Sequence, residues 1–174
     1  RMRSEEEVLV GTGTDSKKFV TFKLGAEEFG ADVNSIKEIS RMEETTQVPT
    51  APSFVEGVIN LRGTITPIID LRKRLDLAEK EQDSDTRIVI AELNDQFTGM
   101  IVDTVTDVLE IPEEDIDPTP ELVTTQISEE YLKGVGKVGE DRLIVLLDLT
   151  KVLSREEFKE MKKAAQKAET PEDS

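Results

Sequence analysis

The sequence predicts a mainly β protein made of one small β module used twice, with a C-terminal helix. Two repeated segments and one helical stripe carry this reading. Residues 57–71 read GVINLRGTITPIIDL, and residues 134–149 read GVGKVGEDRLIVLLDL. Both open on Gly-Val, turn at a glycine (Gly63, Gly139) and close on Asp-Leu (Asp70-Leu71, Asp148-Leu149). Upstream of each stands a second matching segment, FVTFKLGAEEFGADVNSIKEI from Phe19 and IVIAELNDQFTGMIVDTVTDVLEI from Ile88. Each gives an alternating strand, a tight turn, a further apolar strand and an ending in Glu-Ile (Glu38-Ile39, Glu110-Ile111). The segments come in the same order in both halves, at a spacing longer than a solenoid repeat. The stripe is Phe158, Met161, Ala165 and Ala168, spaced for one face of a helix.

The elements follow in chain order. Residues 1–17 are polar, with Glu5, Glu6 and Glu7 in a row, and are expected to form a disordered tail. Phe19, Thr21 and Lys23 alternate with Val20, Phe22 and Leu24, the period-2 mark of a strand. Gly25 turns it into a return strand around residues 29–33. Asn34 suits the cap of a short helix carrying Ile36 and Ile39 on one side. Residues 42–48 read as a strand, and Pro49 and Pro52 bound a loop. In the hairpin of residues 57–71, Pro67 cannot donate to a ladder, which implies an edge or a bulge there. Residues 72–77 read as a helical turn.

The charged run at residues 79–85 is the best boundary between the modules, placing the first at about 18–82 and the second at about 86–153, with a strand crossover allowed. Residues 87–93 and 99–102 read as neighbouring strands, and Val105, Val108 and Leu109 as a strand or short helix. Residues 111–122 hold Pro112, Pro118 and Pro120 among acids, and read as an exposed loop. Residues 131–138 and 142–149 form the second hairpin. Ser154 and Glu157 have capping-box spacing and open a C-terminal helix over 154–174 whose end frays.

Composition narrows the function. The chain of 174 residues has no Cys, so it has no disulfide framework and no thiolate metal site. It has no His, the commonest general base and metal ligand. The net charge of −16, from 22 basic and 38 acidic side chains, repels nucleic acid and anionic membrane. No apolar run reaches a membrane-spanning length and no signal peptide is visible, which implies a cytoplasmic protein. Aromatic content of 4% leaves little to line a sugar platform for paired carboxylates, so a carboxylate-dependent hydrolase is a remote alternative. An oligonucleotide-binding β-barrel is equally remote, for want of a basic, aromatic strand face. No phosphate loop, calcium loop, metal site or cofactor motif stands out.

Arg62, at the turn of an apolar hairpin, must reach water, an acid or a partner. Glu38 is a candidate to orient it. The second module carries Glu110 at the Glu38 position but Lys137 or Val138 near that of Arg62, so the fold does not itself demand the arginine. Asp70 and Asp148 recur in both halves, which points to a fold role such as capping the following turn.

At these residues the sequence resembles the CheW-type coupling proteins of bacterial chemotaxis. The resemblance covers residues 18–153 and rests on four stretches in the right order: FVTFKLGAEEFGADVNSIKEI, PSFVEGVINLRGTITPIIDLRKRL, IVDTVTDVL and YLKGVGKVGEDRLIVLLDL. It implies two small five-stranded β-barrels packed around a shared hydrophobic core, with short helices and a C-terminal α-helix. It also implies a non-catalytic adaptor without cofactor or metal. Its partners would be the cytoplasmic tips of methyl-accepting chemoreceptors and the regulatory domain of the histidine kinase CheA, at the inner face of the membrane through receptor arrays. Receptor contact would fall on Ile36, Glu38, Gly57 and Arg62, with Val102 and Val105 on the other wall of a groove. Pro118, Pro120 and Leu122 are the candidates for kinase contact. The same adaptor in a non-motility chemosensory pathway is the near alternative.

Overall fold

The computed structural model describes residues 16–93, 95–118, 127–152, 154, 156, 157, 159, 160 and 163. Its strands are β1 (Ser16–Leu24), β2 (Glu27–Asp32), β3 (Ile36–Arg41), β4 (Val55–Leu61), β5 (Thr64–Asp70), β6 (Arg87–Leu93), β7 (Gln96–Val102), β8 (Thr104–Pro112), β9 (Ile116–Asp117), β10 (Leu132–Val138) and β11 (Arg142–Leu147). Two single-turn helices follow the glycine hairpins, α1 (Leu71–Arg74) and α2 (Leu149–Val152). The described residues of 156–163 are helical.

The strands form a six-stranded sheet, in the order β8-β1-β2-β11-β10-β9, and a five-stranded sheet, in the order β3-β6-β7-β5-β4. The duplication is therefore real, but the modules are not sequential. Each sheet combines strands from one repeat with the leading hairpin of the other. β1 and β2 join the second-half strands, while β6 and β7 join the first-half strands. A whole hairpin crosses over in each direction. The charged run at 79–85 thus separates two repeats in sequence but not two sheets in space.

The register shows the internal symmetry residue by residue. β3 pairs with β6 as β8 pairs with β1, and both pairings shift by a bulge, between Ile36 and Glu38 in one and opposite Thr21/Phe22 in the other. Ile36, Lys37, Glu38 and Ile39 in β3 correspond to Val105, Thr106, Asp107 and Val108 in β8. β5 runs parallel to β7 and β11 parallel to β2, through Ile68↔Gly99 and Leu146↔Gly30. The residues after each edge strand reach the far edge of the same sheet. β9 pairs with β10, and its counterpart is a single bridge from Thr46 to Val58. That difference accounts for six strands in one sheet and five in the other.

Each sheet curls around its own apolar cluster: Ile59, Leu61, Ile68, Ile88, Ile90 and Ile101 in one, and Phe19, Ile111, Ile144 and Leu146 in the other. A larger third cluster draws on both sheets, with Phe22, Phe29, Ile69, Leu71, Met100, Val102, Val145 and Leu147 among its members. Alternation in the strands explains this. One face of each sheet supplies the private cluster and the other the shared one.

Several expectations need correction. Ser16 and Lys17 belong to β1 rather than to a tail. Ile36 and Ile39 stand on a strand; only Val33–Ser35 is helical, and the side chain that caps it is Asp32. Cross-strand pairing with β6 overrides the capping signal of Asn34. Residues 42–48 contribute only the Thr46 bridge. Ile111 is 1% exposed, because β8 continues through it into the core before a 3-10 turn and β9. Pro67 lies in β5, which is flanked on both sides, but its pairing with β7 begins only at Ile68. The strand is an edge just where the proline lacks a donor. The helix stripe Phe158, Met161, Ala165 and Ala168 lies outside the described residues.

Candidate functional site

Leu61 and Thr64 pair at the end of a two-residue hairpin turn. Both central residues have positive φ, 52° at Arg62 and 86° at Gly63. This is the backbone that matches the twist of the flanking strands, and it is costly for a residue with a Cβ. Asn60 Oδ1 holds the turn by accepting from Gly63 N at 2.7 Å. Arg62 is thereby lifted clear of the sheet, with its side chain 74% exposed. Its Nη2 donates to Glu38 Oε1 on β3, so the pair ties the hairpin tip to the edge strand.

Ile36 is half-buried two residues before Glu38 and packs against the shared core, as do Val55, Val105 and Leu132. These are two symmetry-related pairs, Ile36 with Val105 and Val55 with Leu132. The seam between the sheets is thus rimmed by apolar side chains that remain partly open to solvent.

Gly57 is buried, with φ 157°, at a bulge in β4. A Cβ there would stand 2.6 Å from the carbonyl oxygen of Thr46. Gly134 repeats this, with φ 151° and the Asp117 carbonyl oxygen at 2.6 Å. Both glycines let a neighbouring chain approach the bulge. Val102 is 1% exposed inside the shared core, so it backs the seam and presents no surface of its own. Pro118 is exposed just after β9, while Pro120 and Leu122 lie outside the described residues.

Asp70 and Asp148 do cap the turns that follow them. Asp70 Oδ1 accepts from Arg72 N at 3.0 Å and Lys73 N at 3.3 Å. Asp148 Oδ1 accepts from Thr150 N at 3.0 Å. The capping box closes in both directions: Glu157 N donates to Ser154 Oγ at 3.0 Å and Ser154 N to Glu157 Oε1 at 2.9 Å. Glu157 also accepts from Arg74 at 2.8 Å, and the Arg74 guanidinium lies over the rings of Phe54 and Tyr131. This arginine pins the start of the C-terminal helix to α1.

The acid that corresponds to Glu38 is Asp107, and not Glu110, which pairs opposite Lys18. It too binds an arginine. Arg142, at the start of β11, donates to Asp107 Oδ2 at 2.8 Å and to Glu28 Oε1 and Oε2 at 2.9 and 2.6 Å. Both sheets therefore use an arginine from the glycine hairpin to hold an acid on the edge strand. The two Glu-Ile endings stand at different places along their strands, Glu110 three residues beyond the Asp107 that matches Glu38, so equating them gives the wrong alignment. The equal spacing from Gly30 to Ile36 and from Gly99 to Val105 was the signal for the right one. Hydrogen bonds from Arg142 hold the Glu28 carboxyl below its usual range despite partial burial, and Glu28 with Asp107 raises Arg142.

One further ion pair was not visible in the sequence. Arg72 Nε donates to Asp103 Oδ1 at 2.8 Å, and Arg72 Nη2 to Oδ2; both side chains are largely buried. Gly25 N also donates to Asp103 Oδ2 at 2.8 Å. The pair joins α1, the β7–β8 junction and the β1–β2 turn, and so ties one sheet to the other. Burial pushes the Asp103 carboxyl up, but the bonds from Arg72 and Gly25 outweigh it and leave the pKa lowered.

No group of three or more acidic side chains among the described residues is arranged to hold a metal ion. Among them, too, no helix is long and apolar enough to cross a membrane. The fold and site define a two-sheet protein-interaction module, with an apolar seam and a charged hairpin tip.

The model of the CheW-like domain matches residues 18–157. The chain is 39% identical over 145 residues to the chemotaxis protein CheW of Klebsiella aerogenes, covering 83% of this chain and 86% of that protein. It is 35% identical over 156 residues to CheW of Helicobacter pylori, covering 90% and 88%. The crystal structure of a scaffolding protein CheW from Thermoanaerobacter tengcongensis superposes with a TM-score of 0.73 at 37% identity, over 79% of this chain and 92% of that one. The chain belongs to the CheW family of chemotaxis adaptor proteins.

Proposed function

We propose that this chain joins the cytoplasmic tips of chemoreceptors to the regulatory domain of the histidine kinase CheA, in the cytoplasm and without catalysing a reaction. The observation that carries this reading is Arg62. A strained turn holds it 74% exposed, and its partner among the described residues is one acid, Glu38, on β3, the strand whose Ile36 packs half-buried against the shared core. A receptor tip is a helical hairpin, and an apolar strip with a charged rim suits a helix laid into it. Ile36 and Val105 would meet the apolar face of that helix. Arg62 would exchange Glu38 for a carboxylate of the receptor. Gly57 shapes the bulge behind the strip, and Val102 supports it from the core. Kinase contact would use the sheet ends, with the region of Pro118, Pro120 and Leu122 as its candidate.

Two non-identical ends favour head-to-tail contacts with a homologous domain, which close into rings when the rotation permits. The receptor then shifts kinase activity through the geometry of the assembly. Co-sedimentation tests this: CheA should pellet with receptor-bearing membranes only when the chain is present. Equal recovery of CheA without the chain would contradict it.

A further inference from the structure

The two halves of the molecule present nearly the same face twice, and one of the two is locked. Ile36, Glu38, Val55 and Gly57 on the first face correspond to Val105, Asp107, Leu132 and Gly134 on the second. Each face has its arginine, Arg62 or Arg142, bound to the edge-strand acid. The difference is Glu28. The parallel register that sets Leu146 beside Gly30 and Ile68 beside Gly99 gives Glu28 a definite counterpart, Phe97. Phe97 packs against the isoleucine cluster of its sheet and offers no charge. Glu28 instead takes both arms of the Arg142 guanidinium, and Thr106 Oγ1 donates to it at 2.6 Å.

The consequence is a difference in availability. Among the described residues, Arg142 is 36% exposed and shared between two carboxylates, one of them bidentate, whereas Arg62 is 74% exposed and bound by a single oxygen. Charge-assisted bidentate bonds are strong and directional, and single exposed pairs are weak. A carboxylate arriving on a helical partner can displace Glu38 from Arg62. At Arg142 it would have to displace two acids, one of them bidentate.

We propose that Glu28 is a specificity-determining residue that keeps docking one-sided. It withholds Arg142 from a partner that would otherwise read the second face as it reads the first. This rests on the reading that a receptor hairpin docks at Arg62. One-sided docking leaves the β8 side free for a different partner, which a linker between two unlike proteins requires.

The test uses the full chain, isotope-labelled, as wild type and as Glu28→Gln. The latter leaves Asp107 as the one carboxylate on Arg142, as Glu38 is on Arg62, since a neutral amide oxygen accepts only one of the two bonds and more weakly. The titrant is a receptor cytoplasmic helical hairpin. The readouts are calorimetric stoichiometry and the arginine Nε–H signals. The wild type should bind one equivalent, moving Arg62 and leaving Arg142 still. Glu28→Gln should bind two, with both arginines moving. A folded Glu28→Gln that binds one equivalent, with Arg142 unmoved, overturns this inference and leaves docking at Arg62 intact. Absence of binding to the wild type overturns the docking reading, and this inference with it. Should Glu28→Gln fail to fold, the wild-type spectrum decides: an Arg142 signal that moves with the titrant overturns the lock, and one that stays still supports it.

Discussion

Arg62 and Glu38 bridge the β4–β5 hairpin tip and the β3 edge strand, on either side of the opening of the five-stranded sheet. The bridge is exposed on the arginine side, so its contribution to folding is small, on the order of 0–1 kcal/mol. Arg62→Ala should therefore leave the urea midpoint almost unchanged. It should weaken receptor docking by at least about 1 kcal/mol, roughly fivefold in Kd, as a rim arginine engaged by a partner would. Calorimetry with a receptor hairpin checks the affinity. Unfolding of Arg62→Ala would mean that the bridge is structural.

Gly57→Ala and Gly134→Ala should each cost about 2–4 kcal/mol. Both would combine a positive φ with a Cβ that meets a backbone carbonyl at 2.6 Å, and backbone cannot swing aside as a side chain can. Gly139→Ala should cost only about 1–2 kcal/mol, because its φ of 64° is unfavourable but nothing lies within 4 Å of the added carbon. Chemical denaturation of the three variants tests the ordering.

Asp103 and Glu28 tie stability to pH. Both have folded pKa values below their unfolded ones. Their contribution is therefore present above the unfolded carboxylate range, about pH 4, and is lost as pH falls through the lowered folded values. Urea midpoints should be flat across this range at pH 5–7 and fall steeply below about pH 4. Asp103→Asn should cost about 2–3 kcal/mol at neutral pH, since it leaves Arg72 largely buried without its acid. It should also flatten the acid limb.

Asp70→Ala and Asp148→Ala each remove a cap from a one-turn helix and should each destabilise by about 1 kcal/mol. Arg74 of α1 donates through Nε to the Val152 carbonyl of α2 at 2.6 Å, so the two helices are coupled and the double variant should depart from the sum of the two costs. Strict additivity in chemical denaturation would show that the two caps act independently.

Much of this was legible in the sequence because it is local. The Gly-Val to Asp-Leu segments announced two hairpins, and the Asp70 and Asp148 caps and the Ser154–Glu157 box act within a few residues. What escaped was long-range. Nothing in local pattern shows that β1 and β2 pair with β8 and β11, since each repeat carries strands that fit either sheet. The second Glu-Ile dipeptide stands three residues further along its strand than the first, so Glu110 stood where Asp107 belongs and the Arg142 bridge was missed. Arg72 and Asp103 are far apart in sequence, and only the hairpin exchange brings them together.

The most direct test of a two-sided adaptor is an amide NMR titration of the labelled chain with a receptor helical hairpin and, separately, with the CheA regulatory domain. Shifts should centre on Ile36, Glu38 and Arg62 with the receptor, and on a different surface with the kinase. Shifts on one common surface, or none with either titrant at about 100 µM, where a Kd near 1 mM would already be worth only about 4 kcal/mol, would contradict it.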